Sequence, residues 1–318
     1  MLILSADDVR RAVSPALAFD AVRDAFLRLS RDQIGTFPRH QLSAGPGRAL
    51  MGFMPVADLS EDGPWAMKVV LVGPDNRSHG LDSHQGFVML ADGRTGQPLA
   101  MIDATSVTAL RTAAASAVAT ATLANPDPTR IAILGGGTQA RSHVAALRSL
   151  YPSAVFTLWA RSNASALAAE LALFQADTVR EATLGADIVC TVTGADEPIL
   201  AARDICPGTH VNAVGASRPT AREIAGDLVA ASRLILDSAA QAETECGELL
   251  LARSEGAVAA DHAGTQLQDV IAGHAPGRRA ATDITLFKSL GIAAQDLAVG
   301  QAALASARAL GLGTEVDL

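Results

Sequence analysis

The apolar positions of the chain change their period twice. Phe19, Val22, Phe26 and Leu29 recur at helical spacing, with Ser14 placed to cap the segment and Pro15 suited to its first turn. From Thr36 to Asp103 short apolar runs are broken by turn residues, AGPG at 44–47, VGPDN at 72–76 and ADGRTG at 91–96, which predicts a β-rich segment. Within it WAMKVVLV (65–72), GFVML (86–90) and PLAMID (98–103) are the clearest strands, expected as neighbours in a mainly antiparallel sheet. Ser106 to Ala124 reads as one Ala-rich helix stopped by Asn125 and Pro126. Beyond NPDPT, strands and helices alternate: RIAILG, a helix over about 139–150, AVFTLWA, a helix near 164–174, DIVCTVT, HVNAVG and RLILDS. Such alternation predicts a parallel sheet with helices on both faces. A last Ala-rich helix, 292–310, is expected to return to the first domain. The expected division is residues 1–124 with 290–318 against 125–289.

The first strand of the alternating region runs into RIAILGGGTQARSHVAAL, which sets Gly135, Gly137 and Ala140 in a GxGxxA pattern between a strand and a helix. Gly135 suits the tight turn, Gly137 a close backbone approach to a pyrophosphate, and Ala140 close packing of helix on strand. The helix N-terminus supplies N–H groups and partial positive charge for phosphates. The fold class expected is therefore α/β, a Rossmann-type doubly wound parallel sheet, with a second α+β domain. Thr138 and Gln139 of the turn, and Thr193, Val214 and Gly215 after later strands, complete the expected cofactor contacts. An NAD-type site carries an acid at the end of its second strand to bond the ribose diol. This chain has Trp159, Ala160, Arg161, Ser162 and Asn163 there. Arg161 and Ser162 suit a 2′-phosphate, so NADP(H) is expected over NAD(H); Arg161 is also what a solvated loop would carry.

Composition narrows the partners. Hydrophobic residues are 49% of the 318 and charged residues 18%, too apolar for a disordered chain. Only 3% are aromatic, which disfavours stacking platforms for single-stranded nucleic acid. The net charge of −8 argues against a polyphosphate partner held by bulk electrostatics, so any anionic ligand needs local cations. Three scattered cysteines, Cys190, Cys206 and Cys246, form no disulfide framework or CxxC pair, and a cytoplasmic setting is expected. The opening MLILSADDVRR has only a short apolar stretch before acids, which predicts neither a secretory signal nor a membrane anchor. No HxxxH or HExxH spacing suggests a metal site.

Lys68 interrupts the apolar strand WAMKVVLV, Arg111 lies in the small-residue helix TALRTAAASA, and Arg39 sits in FPRHQL. Singly, each would ordinarily face water. Together they supply the forks and point charge that a small carboxylate requires.

Nearly the whole chain resembles the ornithine cyclodeaminase/mu-crystallin family. The resemblance is carried by FPR at 37–39, MGFMP at 51–55, MKVV at 67–70, SHQG at 83–86, TALRTAAASA at 108–117, ILGGGTQAR at 133–141, PGTHVNAVGASRP at 207–219 and LFKSLGIAAQD at 286–296. It implies a homodimer, a central Rossmann domain, and a substrate domain formed from the N-terminal part with the last helix. It also implies that Arg39, Lys68 and Arg111 hold the substrate carboxylate, with Lys68 close to the reacting carbon.

One position departs from the cyclodeaminase pattern. GxDxPGK there carries an aspartate that handles the substrate amine; here GASRPTARE has Ser217 in its place. The GASRP form is similar to the mu-crystallin branch, which implies an NAD(P)H-dependent reductase of small cyclic ketimine carboxylates, pyrroline- or piperideine-2-carboxylate. The alternatives are an acyclic imino acid reductase resembling alanine dehydrogenase, an ornithine cyclodeaminase, and a non-catalytic ligand-binding protein. Ser217 suits either a substrate contact or a turn bond. Water, His84 or another group on the Asp82 to His84 loop could supply the proton, His84 being equally suited to a packing role. Asp283 and Thr285 suit either closure of the site or capping of the next helix.

Overall fold

A computed structural model of the chain describes residues 1–317 apart from 44, 46, 47, 74, 75 and 83, with Arg77 described by its backbone alone. The chain divides into two compact units, Met1–Arg111 with Ile292–Leu318, and Thr112–Gly291. The AGPG and VGPDN turns and Ser83 of SHQG lie partly or wholly outside the described residues.

The first unit begins with strand β1 (Leu2–Leu4), helix α1 (Ala6–Ala12) and helix α2 (Pro15–Leu29). The Ser14 hydroxyl caps α2 by accepting from Leu17 N at 3.1 Å, and Ala18, Val22, Ala25 and Phe26 form its buried face. Next come β2 (Ile34–Thr36), β3 (His40–Ser43), β4 (Leu50–Asp58), β5 (Trp65–Val72), β6 (His84–Ala91) and β7 (Pro98–Asp103). Neighbours β4 to β7 pair antiparallel, as their alternation and turn signals predict, while β1 joins β7 in parallel. The turn at ADGRTG closes on the Asp92 carboxylate, which accepts from Arg94 N, Thr95 N and the Thr95 hydroxyl.

Helix α3 (Ala104–Leu123) follows, and the division between units falls inside it at Arg111/Thr112, rather than at residue 124. Polar groups of its second half explain this: Ser116 Oγ lies 2.9 Å from His143 Nε2, and Thr120 Oγ1 accepts from Asn212 Nδ2 at 2.9 Å, both partners belonging to the second unit.

The second unit holds β8 (Arg130–Leu134), α4 (Thr138–Leu150), β9 (Val155–Trp159), α5 (Ala164–Leu171), β10 (Phe174–Gln175), α6 (Val179–Thr183), β11 (Ile188–Thr191) and β12 (His210–Ala213). Then come α7 (Gly226–Ala231), β13 (Ser232–Leu236), α8 (Ala239–Glu245), α9 (Gly247–Ser254), β14 (Thr265–Gln266), α10 (Leu267–Ile271) and β15 (Ile284–Lys288). The strands form one parallel sheet in the order β10-β9-β8-β11-β12-β15-β13-β14, whose first five members have the Rossmann arrangement. Trp159, Leu134, Thr191, Ala213, Lys288 and Leu236 stand in register as its carboxyl-terminal row.

ITLFK, which is absent from the strands predicted by the pattern, is the buried strand β15 between β12 and β13. Thr285 is accordingly buried and bonds His210 Nδ1 at 2.9 Å, while the Asp283 carboxylate accepts from Arg279 N and Ala280 N, so neither caps the helix that follows. That helix, α11 (Ala293–Leu310), belongs to the first unit with β16 (Thr314–Glu315), which pairs β1. It packs on α2 and on β4 to β6, burying Leu297, Val299, Ala303 and Ala307.

Candidate active site

In the first unit, the alternation of β5 turns Lys68 onto the sheet face that α11 covers. Lys68 stands opposite Met54 of β4 and Val88 of β6, and is 3% exposed. Its ammonium donates to Asp296 Oδ1 on α11 at 3.1 Å. Arg111, 6% exposed on α3, places Nε 3.4 Å from the same oxygen and donates from Nη1 to Gln295 Oε1 at 3.0 Å. Arg39, on the β2–β3 connection, lies across Gly52 of the MGFMP strand: a Cβ there would sit 3.9 Å from Arg39 Cδ and 3.2 Å from Val70 Cγ1. Burial pushes the Lys68 ammonium down to about 8 despite Asp296, and the Arg111 and Arg39 guanidiniums add to the lowering. Two of the cations predicted from sequence, Lys68 and Arg111, thus share a carboxylate that the same reading left unassigned, and the third, Arg39, acts on Lys68. Lysine and arginine are almost never fully buried without a partner. Buried lysine and arginine side chains so placed can hold a small anion.

His84 stands apart from this cluster. It is the first residue of β6, exposed, and opposite Val72, four residues along the strand from Lys68 and roughly 13 Å away at ordinary strand rise. Its carbonyl accepts from the Thr105 hydroxyl at 2.9 Å.

In the second unit the GxGxxA turn joins β8 to α4. Gly135 has φ +141°, and a Cβ on it would meet Val192 O at 2.7 Å, so only glycine fits. Gly137 is the N-cap of α4, makes no side-chain cap bond, and would meet nothing within 4 Å with a Cβ. That open approach over a helix N-terminus is what a pyrophosphate requires. Thr138 and Gln139 start the helix, and Ala140 is fully buried against the sheet. Asn163 Nδ2 ties the turn to the segment after β9 by donating to Gly136 O at 2.9 Å. Arg161 and Ser162 of that segment are exposed, and no acid ends β9.

Thr193, Val214, Gly215 and Ser217 lie on the connections after β11 and β12, beside the same row of strand ends. Thr193 and Gly215 are organised by Glu223, wholly buried, which accepts from Thr193 N and Oγ1 (both 2.6 Å), Thr191 Oγ1 (2.8 Å) and Gly215 N (2.6 Å). Burial raises the Glu223 carboxyl above its ordinary value. Behind it Lys288 Nζ pairs with Glu248 at 3.0 Å and donates to Ala216 O at 2.5 Å, one residue before the half-buried Ser217. Glu223, Glu248, Lys288, Gln295 and Asp296 are the residues sequence reading left without a role. The available signal was charge inside otherwise small or apolar segments, as in IAAQDLAVG.

The sequence profile of the ornithine cyclodeaminase/mu-crystallin family matches residues 1–309. The chain belongs to this family. A rat relative, ketimine reductase mu-crystallin, is 35% identical over 305 residues, 92% of this chain and 93% of the rat protein. Iminosuccinate reductase of Paracoccus denitrificans is 31% identical over 331 residues, covering both chains entirely. Among solved structures, Δ1-pyrroline-2-carboxylate reductase of Thermococcus litoralis in complex with NADH and L-proline superposes with a TM-score of 0.92 at 32% identity, covering 99% of this chain and 100% of that one. A Rossmann-type unit is combined here with a second, sheet-based unit. Among the described residues no group of three or more His, Cys, Asp or Glu side chains is placed to hold a metal ion, and no helix is long and apolar enough to cross a membrane.

Proposed function

We propose that this protein is an NAD(P)H-dependent reductase of small cyclic ketimine carboxylates, pyrroline-2-carboxylate or piperideine-2-carboxylate. The observation that carries the reading is the buried cluster of Lys68 and Arg111 on Asp296, with Arg39 beside it. In this reading Arg39, Lys68 and Arg111 hold the substrate carboxylate, and the backbone from Gly135 to Ala140 holds the cofactor pyrophosphate. A bound reduced nicotinamide supplies the hydride that adds to the imine carbon. Thr193, Val214 and Gly215 border its site, Thr193 and Gly215 being held in place by Glu223. Arg161 and Ser162 hold a 2′-phosphate, which favours NADPH.

The imine binds already protonated, so its nitrogen gains no further proton as C=N becomes CH–NH. Iminium charge is unfavourable beside three cations. Asp296 and the substrate carboxylate offset it. A cyclodeaminase must instead remove a proton from an ammonium, for which an aspartate at the position of Ser217 serves. Its replacement by serine favours the reductase. Phe37, Leu42 and Trp65, exposed by 63%, 64% and 58% on the β2 to β5 side of the first sheet, suit a homodimer contact.

Purified protein given NADPH or NADH should oxidise it with piperideine- or pyrroline-2-carboxylate. Turnover only with iminosuccinate, or only with pyruvate and ammonia, would move the assignment to acyclic imino acids. Release of ammonia and proline from ornithine with catalytic NAD, with no net cofactor reduction, would make it a cyclodeaminase, and silence throughout a binding protein. Light scattering of the eluting peak would report the dimer.

A further inference from the structure

The cluster that is to receive a carboxylate already contains one. Asp296 sits in the first turn of α11, is 1% exposed, and is separated from Lys68 by 228 positions in the chain. Burying an acid there carries a desolvation penalty. A carboxylate retained only for structure would be expected to use both of its oxygens. Instead Oδ1 takes Lys68 and lies against Arg111, while the buried Oδ2, like Gln295 Nε2 beside it, has no hydrogen-bond partner. The adjacent side chains divide the work: Asp296 engages the ammonium, and Gln295 Oε1 accepts from the Arg111 fork at 3.0 Å.

We propose that Asp296, with Gln295, is the positioning residue of the carboxylate site, keeping Lys68 charged and fixing the Lys68 ammonium against the Arg111 guanidinium before the substrate arrives. The inference rests on the ketimine carboxylate reading of this site. The charged groups facing Lys68 come from three elements: Asp296 from α11, Arg111 from α3 and Arg39 from the β2–β3 connection. Only Asp296 favours the ammonium; burial and both guanidiniums oppose it. Removing the acid therefore leaves only influences that discharge Lys68, and a neutral lysine no longer attracts a carboxylate.

The test is binding of pyrrole-2-carboxylate, a planar acid that hydride cannot reduce, to the full-length protein saturated with NADH, by calorimetry from pH 6 to 9. Wild type should lose affinity as pH rises through about 8, where Lys68 gives up its proton. In Asp296→Asn the same loss should begin at least one pH unit lower, giving at least tenfold weaker binding at pH 7.5 and little change at pH 6. Asp296→Glu should keep the wild-type pH dependence at reduced affinity. Gln295→Ala should weaken binding at every pH without moving the limb, because it loosens Arg111 alone. NADH affinity and melting temperature report folding of each variant; if Asp296→Asn does not fold, a displaced limb in Asp296→Glu overturns the proposal. A limb shared by wild type and folded Asp296→Asn overturns it while leaving the reductase reading intact. Absence of any carboxylate binding by wild type overturns both.

Discussion

Lys288 Nζ and Glu248 pair at 3.0 Å where neither side chain reaches solvent, and the same ammonium holds Ala216 O. Burial disfavours the Lys288 charge, yet Glu248 and the other anionic neighbours outweigh it and hold Lys288 above its ordinary value. Breaking a buried pair from one side leaves the other charge uncompensated, at a cost of about 3–5 kcal/mol. Lys288→Met should therefore lower unfolding free energy by about that amount in urea titrations. It should also weaken NADH binding, because the Ala216 carbonyl loses its anchor. The double variant Lys288→Met/Glu248→Leu should recover most of the stability without recovering NADH affinity. Equal stability of single and double variants would show that the pair is not what holds this end of the sheet.

Two glycines two residues apart make opposite predictions. Gly135→Ala forces a side chain onto φ +141° and against Val192 O, so it should cost roughly 1–3 kcal/mol or more in stability. Gly137→Ala meets open space and should change stability by less than about 1 kcal/mol. Its methyl nevertheless occupies the approach proposed for the pyrophosphate, so NADH affinity should fall at least about tenfold, or about 1.4 kcal/mol. Melting curves and cofactor fluorescence titrations of both variants check the contrast.

Arg161 is exposed and follows a strand that ends without an acid. A charge-assisted hydrogen bond contributes about 1.5–3 kcal/mol. Arg161→Asp should thus weaken NADPH by roughly ten- to a hundredfold and NADH far less. Dissociation constants for the two cofactors measured side by side decide it; equal effects would remove Arg161 from 2′-phosphate recognition.

What was legible in sequence followed local physics. Helical spacing from Phe19 to Leu29, alternation in WAMKVVLV and the glycine turn at 135–140 each describe a segment by its own residues, and the structure contains α2, β5 and the β8–α4 turn there. Lys68 and Arg111 stood out because a cation inside an apolar run is locally anomalous. Asp296 and Glu223 did not, since an acid in a helix or loop reads as solvated until folding sets it beside a partner. For Asp296 that partner is 228 positions away, and for Glu223 the bonded groups lie on two segments, Thr191 to Thr193 and Gly215. Strand β15 was missed for a related reason: ITLFK ends in a charge that becomes compatible with burial through distant partners, Glu248 foremost among them.

His143 and His210 make stability depend on pH in a definite direction. His143 places Nδ1 2.8 Å from Gln139 O and Nε2 2.9 Å from Ser116 Oγ, and His210 bonds Thr285 and Asn212. Burial pushes them down to about 4 and about 3, respectively. The folded state therefore holds both rings neutral while the unfolded chain protonates near pH 6.5. Their contribution is fully present above about pH 6.5 and is lost as pH falls, down to about 4 for His143 and about 3 for His210, at up to about 1.4 kcal/mol per pH unit for each ring. Between pH 6.5 and 5 most carboxylates remain ionised, so this window isolates the histidines. His143→Gln retains groups for both hydrogen bonds and cannot titrate, so its stability should fall with a visibly shallower slope than wild type. Urea denaturation at half-unit pH steps measures the two slopes, and parallel slopes would mean that His143 is not the neutral, desolvated ring this fold makes it.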